Sequence, residues 1–136
     1  MGLKEKRAIK EVEDNQYPAF KQKVADIIGF EVALEINWES LAREGSDHIY
    51  KEGFEKVFVT PTLEAFESIC QDDMGKEAIK EALKKIVIKD ENDHFSYTQW
   101  VDFKEGILTL DHKIDTNLDD IAARKGSLQE TLESAL

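Results

Sequence analysis

The feature that most constrains the fold is the stretch from Ile86 to Ile114, in which three short apolar-alternating runs are separated by polar turn sequences. Alternation of apolar and polar residues over runs of this length is typical of half-buried β-strands. The second interruption, Glu105-Gly106, has the length of a two-residue hairpin loop, and Gly106 tolerates the positive φ that such loops require. The stretch therefore predicts an antiparallel three-stranded meander.

The same two-residue loop sets a register for the last two strands of the meander. In that register Phe103 lies opposite Leu108. Because directly opposed residues lie on the same face of a sheet, the pairing assigns every residue of both strands to a face. One face is predicted to be apolar and to carry Tyr97, Val101, Phe103, Leu108, Leu110 and Ile114. The other face is predicted to carry Thr98, Trp100, Asp102, Thr109, Asp111 and Lys113.

Two further strands extend the predicted sheet. A four-residue loop from Glu91 to His94 sets Ile88 opposite Tyr97, which places the first strand of the meander antiparallel to the second. Earlier in the chain, apolar and polar residues alternate from Phe30 to Trp38, and this pattern predicts a fourth strand paired with the meander. The predicted sheet is therefore four-stranded and antiparallel.

The remaining apolar residues recur at helical spacing and predict helices that cover mainly one face of the sheet. A frayed helix is predicted over residues 1–14, and a second helix is predicted to begin near Pro18 and to end at Gly29. Further helices are predicted over residues 39–85, within which residues 56–60 fit a short strand or a helix equally well. These elements, with the sheet, predict an α+β fold.

A C-terminal helix, capped by Thr116 or Asn117, completes the predicted fold. At 136 residues the chain has the length of one α+β domain, 1–136, with a core that needs no metal or disulfide. The single Cys70 excludes an intramolecular disulfide and a multi-cysteine zinc site. The N-terminus is charged and no apolar run has the length of a membrane span, so a cytoplasmic location is expected.

The charge balance restricts the classes of partner. The chain has 29 acidic and 18 basic side chains and a formal net charge of -11. This charge repels phosphate backbones and anionic lipids, so neither nucleic acid nor a membrane is an expected partner. It attracts a basic protein, a basic peptide or another cationic ligand, although acidity also serves solubility alone. A basic partner is therefore the expectation.

Motifs for catalysis or cofactor binding are sparse. Each histidine follows an aspartate, but adjacent residues point to opposite faces of a strand, and no spacing matches a paired-ligand motif such as His-x-x-x-His. Loops that begin at Asp90 and Asp115 lack the glycine and the glutamate that a calcium loop needs. Glycine-rich phosphate-binding loops are also missing from the sequence. No metal, catalytic residue or cofactor is therefore expected.

The polar face of the predicted sheet is the leading candidate for a binding surface. It carries Trp100 beside Asp102 and Asp111, and Glu31 and Glu35 join it when the early strand pairs as predicted. An exposed tryptophan ringed by carboxylates suits a cationic ligand or basic peptide through burial, cation–π contact and charge pairing. The alternative is that the N-terminal helix or the region from Glu39 to Gln71 covers this tryptophan and completes a second small core.

Two other functions compete with this binding surface. A small-molecule binder or an enzyme would have a polar pocket between sheet and helices around His112, lined also by Tyr97, Gln99 and Trp38. A homodimer would form through the last strand or through the edge that contains Leu128, Leu132 and Leu136. The charge favours a non-enzymatic protein that masks a basic partner, as an inhibitor or immunity-type protein does.

Overall fold

The computed structural model describes residues 1–136 and has α+β architecture with a four-stranded sheet and a C-terminal helix, as predicted. The helices are α1 (Leu3–Asn15), α2 (Tyr17–Ile28), α3 (Trp38–Leu41), α4 (Tyr50–Gly53), α5 (Thr60–Ile69), α6 (Asp73–Ala82) and α7 (Ile121–Ala135). The strands are β1 (Ala33–Ile36), β2 (Lys85–Lys89), β3 (Val101–Lys104) and β4 (Ile107–Asp111). A 3-10 turn (Asp47–Ile49) and a π-helical segment (Phe54–Val59) complete the chain.

The sheet is mixed, with the strand order β1-β2-β4-β3. β1 pairs with β2 in parallel, and β2 pairs with β4 in parallel, whereas β3 and β4 are antiparallel. The predicted four-stranded antiparallel sheet is therefore wrong. β4 lies between β2 and β3, so the first and second strands of the predicted meander are not neighbours.

The register of the β3-β4 hairpin is confirmed. Phe103 pairs with Leu108, and the pairing continues along both strands as the turn requires. Glu105 and Gly106 have φ values of 54° and 82°, and positive φ at both central residues defines a type I′ turn. The local geometry of the hairpin therefore follows from the turn alone.

The residues of the two hairpin strands explain which strand lies inside the sheet. In β4, Leu108 and Leu110 are fully buried, whereas in β3 the charged Asp102 and Lys104 are exposed. Strands within a parallel sheet are rich in apolar residues, while charged side chains are typical of sheet edges. The more apolar strand therefore takes the central position, and the more polar strand takes the edge.

The connection from β2 to β3 is a loop over residues 90–100 rather than a tight turn. Ile88 pairs with Ile36 and Leu110 instead of Tyr97, whose side chain is exposed. The loop must pass the end of β4, a distance of roughly 10 Å or two inter-strand spacings. A four-residue loop suits only adjacent strands, so the predicted turn over Glu91–His94 does not form.

One continuous apolar cluster joins the helices to the sheet. Ile86 and Ile88 of β2 are fully buried on the helix-covered face, and Ile114 after β4 is also fully buried. Helix α1 contributes Ile9 and Val12 to this cluster, so the N-terminal helix is packed rather than frayed. No helix is both long enough and apolar enough to cross a lipid bilayer.

A buried arginine stabilises the π-helical segment. In a π-helix each N–H bonds to the carbonyl five residues earlier, but Pro61 has no N–H to offer the Lys56 carbonyl. Arg124 of α7, which is fully buried, donates to that carbonyl instead at 3.3 Å. It also donates to the carbonyls of Asn117 (2.7 Å) and Leu118 (3.1 Å). One guanidinium thus joins α7 to the π-helical segment and to the loop before α7.

The ends of the helices agree in part with the predictions. Gly29 ends α2 with a φ of 87°, as predicted. The ambiguous residues 56–60 are helical and belong to the π-helical segment and the start of α5. The last helix begins at Ile121, and neither Thr116 nor Asn117 caps it. That part of the prediction is wrong, because the Asn117 side chain donates to the Phe95 carbonyl instead.

Candidate functional site

The predicted tryptophan surface does not form, because Trp100 points into the core. Its side chain is 1% exposed, and its indole N–H donates to Ser127 Oγ of α7 at 2.9 Å. The ring packs against Phe58 and His112. Trp100 precedes the first residue of β3, so the alternation of side chains along that strand does not extend to it. The alternative is thus correct in part: Phe58, from the region between Glu39 and Gln71, packs against the tryptophan, but α7 also bonds to it, and the ring belongs to the one continuous core.

The open face of the sheet is also less acidic than predicted. Glu35 is exposed, but its carboxylate lies 2.9 Å from Lys85 Nζ. Asp102 shares its face with Lys104, and Lys89 lies on the same face through its pairing with the end of β4. Lysines therefore balance the carboxylates on this face.

Asp111 and Glu31 do not lie on the accessible part of that face. Asp111 is 5% exposed and accepts hydrogen bonds from the Glu91 backbone N–H (3.0 Å) and from the Asn92 side-chain amide (2.5 Å). Glu31 precedes β1 and lines a groove between β1 and α2. The loop after β2 has therefore folded over the end of β4, which sequence periodicity could not reveal.

The four residues of the alternative pocket lie apart. His112 is fully buried against Trp100, while Tyr97 and Gln99 are exposed on the loop before β3. Trp38 packs against aromatic rings of α2 and of the π-helical segment. Five surface grooves of 140 to 440 Å³ are lined by other residues. The structure thus does not bring these four side chains together.

His112 is a neutral core residue at pH 7. Burial lowers its pKa to about 4, and the positive charge of Arg124 acts in the same direction. Its Nδ1 lies 2.6 Å from the Lys113 carbonyl. The Asp111 carboxylate accepts from the Glu91 N–H, whereas the His112 ring packs against Trp100, so the two side chains have different partners.

The densest set of charged contacts lies where the three parallel strands end. Asp90 follows β2 directly, Asp111 ends β4, and Arg43 follows α3, the helix after β1. We call Asp90, Asp93, Asp111 and Asp115, together with Arg43, the carboxylate edge. Ligands of sheets with parallel strands characteristically bind outside the carboxyl ends of those strands. The carboxylate edge is therefore the candidate functional site.

Arg43 contacts three of the four carboxylates of this edge. Its Nη1 lies 2.6 Å from Asp90 Oδ2 and 2.9 Å from Asp93 Oδ1, and its Nε lies 3.8 Å from Asp115 Oδ2. The Asp90 side chain is completely buried, whereas the Asp93 side chain is 71% exposed. One guanidinium faces several carboxylates, so the edge retains an excess of negative charge.

The environment of each carboxylate shifts its pKa differently. Burial raises the pKa of Asp90, although the hydrogen bond and charge of Arg43 oppose this shift. Burial acts on Asp115 in the same sense, but hydrogen bonds from Ser46 (2.6 Å) and Thr116 (3.0 Å), with the charge of Arg43, hold its pKa below the usual value. Asp115 is therefore negative at neutral pH.

The loop after β2 presents the exposed carboxylates of this edge. Asp93 has a φ of 53°, in the left-handed region that is unfavourable for most residues other than glycine and asparagine. Its hydrogen bond to Arg43 and the bond from the Lys113 N–H to the His94 carbonyl (2.9 Å) hold the loop in place. The Glu91 side chain in the same loop is 46% exposed, but its carboxylate lies 2.7 Å from Lys89 Nζ. A partner can therefore reach Asp93 directly.

The sequence patterns presented Asp90 and Asp115 only as starts of calcium loops and Asp93 only as part of an Asp-His pair, and they indicated no role for Arg43. Arg43 and Asp90 are 47 residues apart, so no local motif joins them. The usable signal was that an acidic residue directly follows a predicted strand. No group of three or more His, Cys, Asp or Glu side chains in the structure is arranged to hold a metal ion.

No protein-family model, curated protein or solved structure matches this chain. Its function is therefore inferred from the geometry and charge of the carboxylate edge.

Proposed function

We propose that this chain is a non-enzymatic binding protein whose carboxylate edge receives a cationic group of a basic protein or peptide. The observation that carries the proposal is the imbalance around Arg43, where one guanidinium contacts three carboxylates, those of Asp90, Asp93 and Asp115. The exposed carboxylate of Asp93 remains available to a second cation, because its bond to Arg43 uses one oxygen.

The chemistry of the edge favours an arginine or lysine side chain as the bound group. Carboxylates held in a fixed orientation form short, charge-assisted hydrogen bonds with guanidinium and ammonium groups. Charges inside a protein are screened by salt less than exposed charges, so the buried carboxylates add to the potential at Asp93. The net charge of -11 attracts a basic partner before contact is made.

A peptide of alternating arginine and serine tests this proposal by isothermal titration at low and at physiological ionic strength. We expect Asp93→Asn to weaken binding by about tenfold, the equivalent of one charge-assisted hydrogen bond. The matched control is Glu105→Asn, because Glu105 also carries one negative charge at a positive φ of 54° but lies in the hairpin turn at the other end of the sheet.

Glu105→Asn is expected to change the affinity by less than about twofold, since its only effect is on the net charge. Equal weakening by the two variants would indicate attraction to the net charge without a site. That result, or the absence of binding by the unmodified protein at low ionic strength, would reject the carboxylate edge as the binding site.

A further inference from the structure

The outer edge of β1 exposes unpaired backbone groups. The Asn37 N–H donates to the Ile88 carbonyl of β2 at 2.9 Å. Along a strand in a parallel ladder, residues that bond to a given neighbour alternate with residues that point away from it. Glu35 therefore bonds to β2 like Asn37, and the N–H and C=O groups of Leu34 and Ile36 point outward. Because β1 is the last strand on its side of the sheet, these groups have no strand to bond.

The two edges of the sheet differ in their protection. β3 contains the charged Asp102 and Lys104, and α7 packs against it. Charged residues, prolines and covering elements are the usual devices that prevent an edge from pairing with another chain. β1 has the sequence Ala33-Leu-Glu-Ile36, with one charged residue, Glu35, and with neither lysine nor proline. The structure leaves this edge open to an additional strand.

An apolar groove lies beside the open edge, between β1 and α2. Its volume is about 210 Å³, and its lining includes Tyr17, Pro18, Val24, Val32 and Leu34. A cavity of about 150 Å³ is large enough to bind benzene, so this groove has room for one apolar side chain. The groove lies on the face of the sheet to which Leu34 points.

We propose that β1 accepts an extended segment of a basic partner as a fifth strand, in which apolar and basic residues alternate. The backbone of the segment bonds to the outward groups of Leu34 and Ile36, as in other complexes formed by strand addition. A residue opposite Leu34 shares its face, so its apolar side chain enters the groove. A residue opposite Glu35 lies on the open face, where a basic side chain shares the Glu35 carboxylate, which is 63% exposed, with Lys85.

The choice of a basic segment rests on the net charge of -11 and on the nearby carboxylate edge. The charges at β1 itself are balanced, because Lys21 lines the groove together with Glu31, and Lys85 Nζ lies 2.9 Å from the Glu35 carboxylate. At the end of β1, the Asn37 side chain lies 3.5 Å from Glu91, which belongs to the loop of the carboxylate edge. A strand added to β1 therefore continues toward the carboxylate edge. The choice of basic residues for this strand rests on the function proposed above.

The first experiment is amide hydrogen exchange with a short, end-capped peptide of alternating lysine and valine. In the free protein we expect fast exchange at the Leu34 and Ile36 amides and slow exchange at Glu35 and Asn37, which already bond to β2. Saturating peptide should slow exchange at the first two amides by at least about tenfold and leave the other two nearly unchanged. Unchanged exchange at Leu34 and Ile36 would overturn the proposal.

N-methylation of the peptide backbone gives a control that leaves the protein intact. Methylation of every valine removes the N–H groups that face β1 in an antiparallel complex, and methylation of every lysine removes those that face it in a parallel complex. One pattern should weaken binding by at least about tenfold, and the other should have little effect. Equal sensitivity to both patterns would show that no strand is added.

The variant Ala25→Leu tests the groove. Ala25 of α2 forms part of the groove lining, so a leucine side chain at this position should fill the groove. Leucine is well tolerated in helices, so folding should be preserved, while affinity for the peptide should fall by about tenfold. The matched control is Ala19→Leu on the exposed surface of α2, which should leave affinity unchanged. Equal affinities for both variants and the unmodified protein would exclude the groove as a side-chain site.

Two further results separate this inference from the proposed function. If the arginine-serine peptide binds through Asp93 but the lysine-valine peptide does not protect the Leu34 amide, the carboxylate edge is supported as a binding site and the addition of a fifth strand is excluded. If the protein without peptide forms a concentration-dependent dimer that protects the same amides, the edge belongs to a second copy of the chain and the proposed segment is wrong.

Discussion

Arg124 and Arg43 both join separate elements of the fold, but their surroundings differ. Arg124 is fully buried and donates to three backbone carbonyls and to no carboxylate. Arg43 is partly exposed and lies among carboxylates on loops after β2 and β4. Burial lowers the pKa of Arg124. Burial also acts on Arg43, but its hydrogen bonds to Asp93 and Asp90 outweigh that effect and raise the pKa.

This difference separates a structural cation from one that organises a site. The carbonyls around Arg124 have no net charge and the Arg124 side chain has no access to solvent, so the guanidinium serves to connect backbone segments. The carboxylates around Arg43 exceed the charge it provides, and one of them is exposed. Substitutions at the two arginines should therefore differ in their effect on the free energy of unfolding, in their dependence on pH and in their effect on binding.

The largest loss of stability is expected for Arg124→Leu. The substitution leaves three carbonyls without the donor that the fully buried guanidinium supplied, and we expect a loss of about 3–5 kcal/mol in the free energy of unfolding. Urea denaturation followed by circular dichroism measures the loss. Arg124→Lys retains one cationic donor group and should lose less. A loss below about 1 kcal/mol for Arg124→Leu would show that water replaces the guanidinium.

A smaller loss, of about 2–3 kcal/mol at pH 7, is expected for Arg43→Gln, because the buried Asp90 carboxylate then has no cation beside it. Removal of Arg43 raises the pKa of Asp90 further. A carboxyl group with a raised folded-state pKa destabilises the fold as pH rises through that pKa, because it must then ionise in the buried site. The difference in the free energy of unfolding between Arg43→Gln and the unmodified protein should therefore become smaller as pH falls from 7 to 5. Urea denaturation at both pH values tests this, and a constant deficit would contradict it.

Stability should also depend on pH through His112, whose pKa is lowered by burial and by the charge of Arg124. Its folded-state pKa of about 4 is below the usual 6.5, so the unfolded chain binds more protons between these values. Stability should therefore fall as pH decreases through this window, by about 2 kcal/mol from pH 7 to pH 5 for this residue alone. His112→Gln should show a flatter dependence over that range. Identical slopes for both proteins would mean that the folded protein binds the proton as readily as the unfolded chain.

The smallest effect on stability is expected for Asp93→Asn. Asparagine is more stable than aspartate in the left-handed region, and this gain offsets the weaker hydrogen bond to Arg43, so the change should stay within about 0.5 kcal/mol. Glu105→Asn, the matched control in the hairpin turn, should stabilise by a similar small amount because asparagine favours type I′ turns. If Asp93→Asn loses more than about 1 kcal/mol, its carboxylate supports the fold as well as the proposed binding.

The hairpin and the carboxylate edge differ in how much the sequence reveals. The pairing of Phe103 with Leu108 follows from a two-residue turn, because the geometry of that turn restricts both strands next to it. The contacts of Arg43 with Asp90 and Asp115 join loops that are distant in sequence. Those contacts depend on the parallel arrangement of three strands, which the predicted antiparallel sheet did not contain.

The sequence by itself determined the hairpin register, the helical character of most of the chain and the sign of its net charge, because these depend on neighbouring residues or on composition. Only the tertiary structure decided the strand order, the burial of Trp100 and the grouping of charges around Arg43. Each of these depends on which distant segments compete for the same place in the core. The more apolar β4, not β3, lies beside β2, so the chain needs a longer loop between β2 and β3. This loop places Asp93 beside Arg43 and Trp100 beside α7.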